Sequence, residues 1–242
     1  MITEYFRKYT DVRCKICGEE TSIFGVKDFS CACESQSNPT FSLTGHAIYY
    51  HRCKNCGFIF STDFDSWSKD DFQERIYNDN YVKVDGDYVS KRPIECVRTV
   101  DRFLKRDKNH KILDYGAGND VFSREMKIVG YDARGWDPMW NREKPNERNF
   151  DLVTAFEVIE HSPTPVATAQ EMISFLKPTT GNIMIGTLVN DVIRDEGINY
   201  WYLAPRNGHV CMHSNRSIEV LFDMFGMRVT HMSNSQHIVT WR

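Results

Sequence analysis

The chain has 242 residues, room for one large domain or one domain with a small appendage at roughly 100 to 200 residues per domain, and three full domains are excluded. Hydrophobic residues make up 41% and charged residues 26%, with 15 Phe, 11 Tyr and 5 Trp, which excludes a disordered chain and predicts a globular one. A balance of 33 acidic against 30 basic residues leaves a net charge of −3, so no broad basic field favours nucleic acid as a partner.

No apolar run approaches the ~20 residues of a membrane span, and the stretch Met1 to Lys8 has no continuous apolar region of signal-peptide type. A cytoplasmic location without a membrane partner is therefore the expectation.

The first elements in chain order are built around cysteine. Six of the eight cysteines lie in the first quarter, and Cys14-Lys15-Ile16-Cys17-Gly18 and Cys53-Lys54-Asn55-Cys56-Gly57 are two matching knuckles. A two-residue spacer lets both sulfurs of a pair reach one tetrahedral ion about 2.3 Å away, and the following Gly lets the backbone turn beneath them. Four thiolates leave no open coordination position, so Cys14, Cys17, Cys53 and Cys56 predict a structural Zn²⁺ in a zinc-ribbon module over residues 1–62. Four unrelated reduced thiols, or a redox pair, are the competing readings. Cys31 and Cys33 are expected in a loop, although they or His46 or His51 could substitute as ligands. Cys96 and Cys211 are expected as small buried hydrophobes.

The segment 63–92 is too polar for a core element and too aromatic for a flexible linker, and is expected to cap a cleft, with Tyr77 and Tyr81 foremost. From Pro93 onward, Ile94, Val97, Val100 and Leu104 have helical spacing through about Arg106. Strands are predicted at Lys111 to Gly116, Ala133 to Asp137, Phe150 to Phe156 and Asn182 to Leu188, with helices near Val121 to Ile128 and Val166 to Leu176. Ser214 or Asn215 caps a helix through Phe225. Two strands, Met227 to Met232 and His237 to Trp241, follow as a closing hairpin around Asn234. Alternating strands and helices predict an α/β, doubly wound Rossmann-like sheet over residues 93–242.

In such a sheet ligands sit beyond the carboxyl ends of the strands. The first of these ends reads Asp114-Tyr115-Gly116-Ala117-Gly118. A dinucleotide fingerprint needs a third Gly where Val121 stands, and there is no Walker loop, so an adenosine without a phosphate chain fits better. Asp137, nineteen residues after Gly118, stands where an acidic residue accepts hydrogen bonds from ribose hydroxyls; a turn Asp before Pro138 is the structural alternative.

Ile112-Leu113-Asp114-Tyr115-Gly116-Ala117-Gly118, Phe150-Asp151-Leu152-Val153, Glu157-Val158-Ile159-Glu160-His161 and Phe175-Leu176-Lys177-Pro178 through Gly181 resemble class I S-adenosylmethionine-dependent methyltransferases. Thr179-Thr180 departs from that family's usual Gly pair. Trp201 to Pro205, Gly208-His209-Val210 and Ser214 to Leu221 look like its branch of sugar- and natural-product-modifying enzymes, some of which carry a four-cysteine zinc module. The resemblance implies a seven-stranded sheet and S-adenosylmethionine as cofactor. It also implies Asp114, Gly116 and Gly118 at the methionine end, Asp137 at the ribose, and Phe156-Glu157 beside the sulfonium. Only about a dozen residues separate Asp137 from Phe150, so the family's third strand, with its adenine-contacting loop, is expected to be reduced or missing.

Methyl transfer to a small acceptor, a saccharide or nucleotide-sugar intermediate, is the function this resemblance implies. A hydroxyl acceptor needs its proton removed, and histidine suits that task near neutrality. His209 and His161 are the candidate bases, with hydrogen-bonded loop positioning as the alternative for each; Glu157 and Glu160 are read as positioning or cofactor-contacting groups. Tyr202, Trp201 and Arg206 are expected in the acceptor wall, or packed on the sheet. Two other functions compete: a ribbon that guides a methyltransferase to RNA or protein, and a cofactor-binding module without turnover.

Overall fold

The computed structural model describes residues 11–33, 41–79, 81, 84–85, 91–140 and 143–242, so the reading of Met1 to Lys8 and parts of segment 63–92 lie outside the described residues. Among the described residues no helix is long and apolar enough to cross a membrane.

Among the described residues ten strands form two sheets. The smaller contains β1 (Thr21–Asp28), β2 (Ala47–Cys53), β3 (Ile59–Ser61) and β8 (Cys211–Met212), antiparallel in that order. The larger runs β5 (Asp132–Trp136), β4 (Lys111–Tyr115), β6 (Leu152–Phe156), β7 (Asn182–Gly186), β10 (Gln236–Trp241), β9 (Met227–His231). Its first four strands are parallel, and the final hairpin adds antiparallel to β7. No strand occurs between Asp137 and Leu152 among the described residues, so the sheet has six strands and lacks the one expected to be reduced.

The central strands alternate between two apolar faces. Leu113, Val153, Ile183 and Ile185 face Ala169 and Met172 of α4 (Pro165–Ser174) and Ile218, Leu221 and Phe222 of α5 (Asn215–Asp223). Ile112, Leu152 and Met184 face Val97 and Val100 of α2 (Lys91–Phe103) and Phe122 and Met126 of α3 (Val121–Ile128). This covering of both faces is why the strands read as apolar runs. A short helix, α1 (Lys69–Arg75), is capped by a reciprocal Ser68–Asp71 box and buries Phe72. Ser214 caps α5 in the same way through Ser217.

Helix α4 is followed by a turn in which Thr179 has φ +62°. The left-handed region suits Gly and strains a β-branched residue by roughly 1–3 kcal/mol. Thr179→Gly is therefore expected to raise stability by about 1 kcal/mol, after the larger chain entropy of Gly in the unfolded state is set against the strain relieved. Urea denaturation at constant m-value measures it.

The ribbon is not a separate appendage, because its sheet is completed by β8 from the far end of the chain. Ser61 N donates to Val210 O at 2.9 Å, and Asn190 Nδ2 donates to Gly57 O at 2.9 Å and Met212 O at 3.1 Å. Phe58 and Phe60 join the core beneath the large sheet. On the opposite side, Ile48, Tyr50 and Ile59 pack with Phe64, Phe72, Tyr202 and Leu203. The ribbon thereby becomes a wall for the loop between β7 and β8. Cys31 and Cys33 lie in a loop, where Cys33 N donates to Asn207 Oδ1 at 2.8 Å.

Candidate active site and metal centre

The two knuckles face each other. Sulfur separations are 3.7 Å for Cys14–Cys56, 3.4 Å for Cys17–Cys53 and 3.7 Å for Cys17–Cys56. A regular tetrahedron with Zn–S near 2.3 Å requires S···S of about 3.8 Å; these three separations lie close to it, and the four sulfurs all lie within 4.8 Å of one another, near enough to share one ion. Gly18 and Gly57 have φ +74° and +73°, and the amides of Ile16 and Cys56 approach the sulfurs of Cys14 and Cys53 at 3.5 and 3.4 Å. Those amides offset the charge of the thiolates that a bound ion requires.

Beyond the carboxyl ends of β4, β5 and β6 lies a cleft of about 790 Å³, inside the roughly 300–1,000 Å³ range of small-molecule sites. Asp114, Gly116, Gly118, Asp137, Phe156, Glu157, His161 and His209 all line it. Asp137 Oδ2 accepts from Gly118 N at 2.9 Å and Oδ1 from Met139 N at 2.8 Å, so its carboxylate ties the glycine loop to the end of β5. Asp114 Oδ1 accepts from Thr154 Oγ1 at 3.0 Å.

Gly116 has φ +77°, and a Cβ there would lie 2.5 Å from Val158 Cγ2. Its missing side chain accommodates the neighbouring loop, a requirement in addition to any approach by a ligand.

The loop after β6 turns sharply at Glu157 (φ +53°) and continues into a single 3-10 turn, Ile159–His161. His161 Nδ1 lies 3.0 Å from Gly208 O and 3.0 Å from Tyr77 Oη. His209 Nδ1 lies 2.6 Å from Tyr202 O, and the two rings meet edge to face at 4.9 Å. Tyr50 Oη donates to His209 O at 2.7 Å, so the ribbon helps to position this histidine.

Burial pushes His209 down to about 4, against the opposing bond to the Tyr202 carbonyl. Enclosure, with His209 adjacent, lowers His161 well below the usual histidine range. Burial, then the charge of Glu157, raises Glu160 well above the carboxylate range, and burial likewise raises Glu157. In the protein without a ligand, burial therefore disfavours the charged forms of both imidazoles and of Glu160.

The structure departs from the expected acceptor wall. Tyr202 is 3% exposed and does not line the cleft; its hydroxyl donates to Glu157 Oε2 at 3.0 Å and also contacts Glu160 Oε1. It sits behind the loop that follows β6 because its ring joins the ribbon-facing core. Arg206 is buried too, donating from Nη1 to Ile76 O, while Trp201 is exposed and outside the lining.

The cleft is lined instead by Trp67, Tyr77, Tyr81 and Asn78 from the segment 63–92, with Met139 and Trp140 following Asp137. Arg92 and Cys96, on α2, also reach the cleft. Arg92 Nη1 and Nη2 each donate to Asp85 at 3.1 Å. Cys96 is half-buried rather than a core residue, whereas Cys211 is buried as expected. The helical spacing around Val97 and Val100 marks the apolar face, but the end of α2 that borders the cleft has no signal of its own.

Three buried histidines predict a pH dependence. His209 and His237 are lowered to about 4 and His213 to about 3, each mainly by burial. Their folded values lie below the unfolded value near 6.5, so their stabilising effect is complete above that pH and lost as pH falls towards 4. At pH 5 the loss is roughly 2 kcal/mol per histidine. Raised Glu160 works in the opposite direction over this window. A net fall in urea stability between pH 7.5 and 5 is the expected result.

A mainly parallel sheet with a strand-end cleft, a Gly-x-Gly loop and an acidic residue on the next strand defines an α/β enzyme that binds an adenosyl cofactor. Residues 88–232 match a family model described as a methyltransferase domain, and the chain belongs to that family of S-adenosylmethionine-dependent methyltransferases. A comparison with curated proteins found no match.

Among solved structures, one similar chain is the 1,6-didemethyltoxoflavin-N1-methyltransferase of Burkholderia thailandensis, bound to 1,6-didemethyltoxoflavin and S-adenosylhomocysteine. It is 12% identical, with a TM-score of 0.47, over 82% of this chain and 95% of that one. Another is a possible histamine N-methyltransferase of Thermotoga maritima, 11% identical, with a TM-score of 0.45, over 69% of this chain and 95% of that one.

Proposed function

We propose that this methyltransferase transfers the methyl group of S-adenosylmethionine to a small acceptor, a saccharide or nucleotide-sugar intermediate, within a domain held by a structural Zn²⁺ on Cys14, Cys17, Cys53 and Cys56. The observation that carries the reading is the meeting of Asp137, the Gly116–Gly118 loop and the His161–His209 pair in one cleft. In this reading Asp137 accepts hydrogen bonds from the ribose, Asp114 and the glycine loop border the methionine end, and Phe156 and Glu157 flank the sulfonium.

The cofactor supplies an electrophilic methyl carbon; the chain supplies alignment and handling of the acceptor proton. The nitrogens of His209 or His161 are positioned to accept that proton. Aromatic faces of Trp67, Tyr77 and Tyr81 beside the amide of Asn78 suit a polyhydroxylated acceptor, which offers both apolar ring faces and hydroxyl groups.

Calorimetric titration of zinc-replete protein with S-adenosylhomocysteine, followed by transfer of labelled methyl to a panel of nucleotide sugars, tests the proposal. Saturable one-to-one binding and label on a sugar are expected. Absence of binding at high micromolar protein overturns the cofactor assignment, and label only on non-carbohydrate acceptors overturns the acceptor class. His209→Gln should lower kcat by about 10²–10⁴ while S-adenosylhomocysteine binding changes little.

A further inference from the structure

Glu160, His161 and His209 each place a ligand-type atom within 4.8 Å of the others. Both imidazoles have their Nδ1 atoms against backbone carbonyls, Gly208 O for His161 and Tyr202 O for His209. A carbonyl only accepts, so in the tautomer where Nδ1 of each ring donates to it, Nε2 holds the lone pair. That pattern, with one ring nitrogen donating to the backbone and the other free, is how proteins orient histidines that ligate metals. The hydrogen-bond contacts of the two rings are made at Nδ1, His161 with Gly208 O and Tyr77 Oη and His209 with Tyr202 O.

The third member supplies an independent observation. Glu160 is fully buried, and while its Oε1 contacts Tyr202, its Oε2 has no hydrogen-bond partner. Leaving such an oxygen unpaired costs on the order of 1–3 kcal/mol, more when charged, and buried carboxylates without a partner are uncommon for that reason. A cation satisfies it. Glu157, linked to Glu160 through the Tyr202 hydroxyl, adds further negative charge when ionised, and the positive charge of nearby Arg92 is countered by its two bonds to Asp85.

We infer that Glu160, His161 and His209 form a divalent-cation site at the acceptor end of the cleft, distinct from the four-cysteine centre and suited to a first-row ion such as Mn²⁺ or Co²⁺. Two imidazoles and one carboxylate suit such ions, and three protein ligands leave open positions when the ion is six-coordinate. His161 and His209 line the cleft, so an acceptor oxygen can reach an open position.

This deepens the methyl-transfer reading and rests on it, replacing proton abstraction by an imidazole with activation by a Lewis acid. The acceptor O–H ligates the ion and releases its proton to water in the cleft. Its oxygen then forms the new C–O bond as the C–S bond breaks, and the sulfonium leaves as neutral S-adenosylhomocysteine.

Co²⁺ separates the two centres spectroscopically, because only tetrathiolate coordination produces strong sulfur-to-cobalt charge transfer in the near ultraviolet. Zinc-replete full-length protein is titrated with Co²⁺, and in parallel with Mn²⁺ followed by electron paramagnetic resonance. The expected result is one ion per chain without the thiolate band, weakened at least tenfold by Glu160→Gln and by His209→Asn. Bound S-adenosylhomocysteine and a cooperative melting transition report that each variant is folded.

Uptake of no ion beyond the cysteine centre at millimolar Mn²⁺, by protein that binds S-adenosylhomocysteine, overturns the site and leaves the methyl-transfer reading standing. Uptake unchanged in both folded variants overturns it equally. Failure of S-adenosylhomocysteine to bind, with the Co²⁺ site present and sensitive to both substitutions, overturns the cofactor assignment and supports the metal site.

Discussion

Replacing Asp137 by Ala is expected to weaken S-adenosylhomocysteine binding by more than 100-fold. A ribose offers two hydroxyl donors to an ionised carboxylate, and each such bond contributes on the order of 1.5–3 kcal/mol. Loss of both at the lower figure is about 3 kcal/mol, which already exceeds a factor of 100. The substitution also removes the acceptor for Gly118 N and Met139 N, so the glycine loop loses its tie to β5.

Asp137→Asn separates the two contributions. It keeps the size of the side chain and one acceptor oxygen, but its amide presents a donor where the other oxygen stood, and an intermediate affinity is expected. Calorimetry on variants that retain a cooperative melting transition reads both effects. Affinity within threefold of the parent protein in folded Asp137→Ala would remove Asp137 from the ribose site.

Cys53→Ser should have the larger structural effect. Structural zinc binding contributes roughly 10–16 kcal/mol to folding of small zinc modules, comparable with the whole stability of an ordinary domain, about 5–15 kcal/mol. Loss of one thiolate from four leaves an incomplete shell and a buried cluster without its ion.

The damage should extend beyond the ribbon, because β3 pairs with β8 and Tyr50 holds the His209 carbonyl. Ser214 Oγ, the cap of α5, also bonds to Cys56 O. We expect Cys53→Ser to lose stoichiometric zinc, to melt at least 15 °C lower or fail to fold, and to lose ordered signals from the β7–β8 loop. Zinc content by elemental analysis, circular dichroism and hydrogen exchange measure these effects. A variant that keeps the parent's melting temperature would rule out a structural metal.

The parts legible in the sequence were those whose cause is local. Two Cys-x-x-Cys-Gly knuckles announce their geometry within five residues each, and the structure brings their sulfurs to tetrahedral spacing. Apolar runs, a Pro at the start of α4 and a Ser before α5 are enough to locate strands and helices within a few residues. The spacing from Gly118 to Asp137 spans one helix and one strand, which is why both ends could be placed at the same mouth of the sheet. The short interval after Asp137 likewise agrees with the lack of a strand between Asp137 and Leu152 among the described residues.

Only the tertiary structure decided how the ribbon and the loops bordering the cleft are joined. Strand β8 is two residues long, too short to have a readable period, and its partner β3 lies about 150 positions earlier. The contact that positions His209 spans 159 residues, from Tyr50. Tyr202 belongs behind the cleft rather than in its wall because it packs against ribbon residues far from it in the chain. Arg92 and Cys96 reach the cleft because α2 ends beside it. Composition and periodicity register which face of an element is apolar; which distant surface that face meets is set by packing of the whole chain, and there the arrangement of the acceptor end was determined.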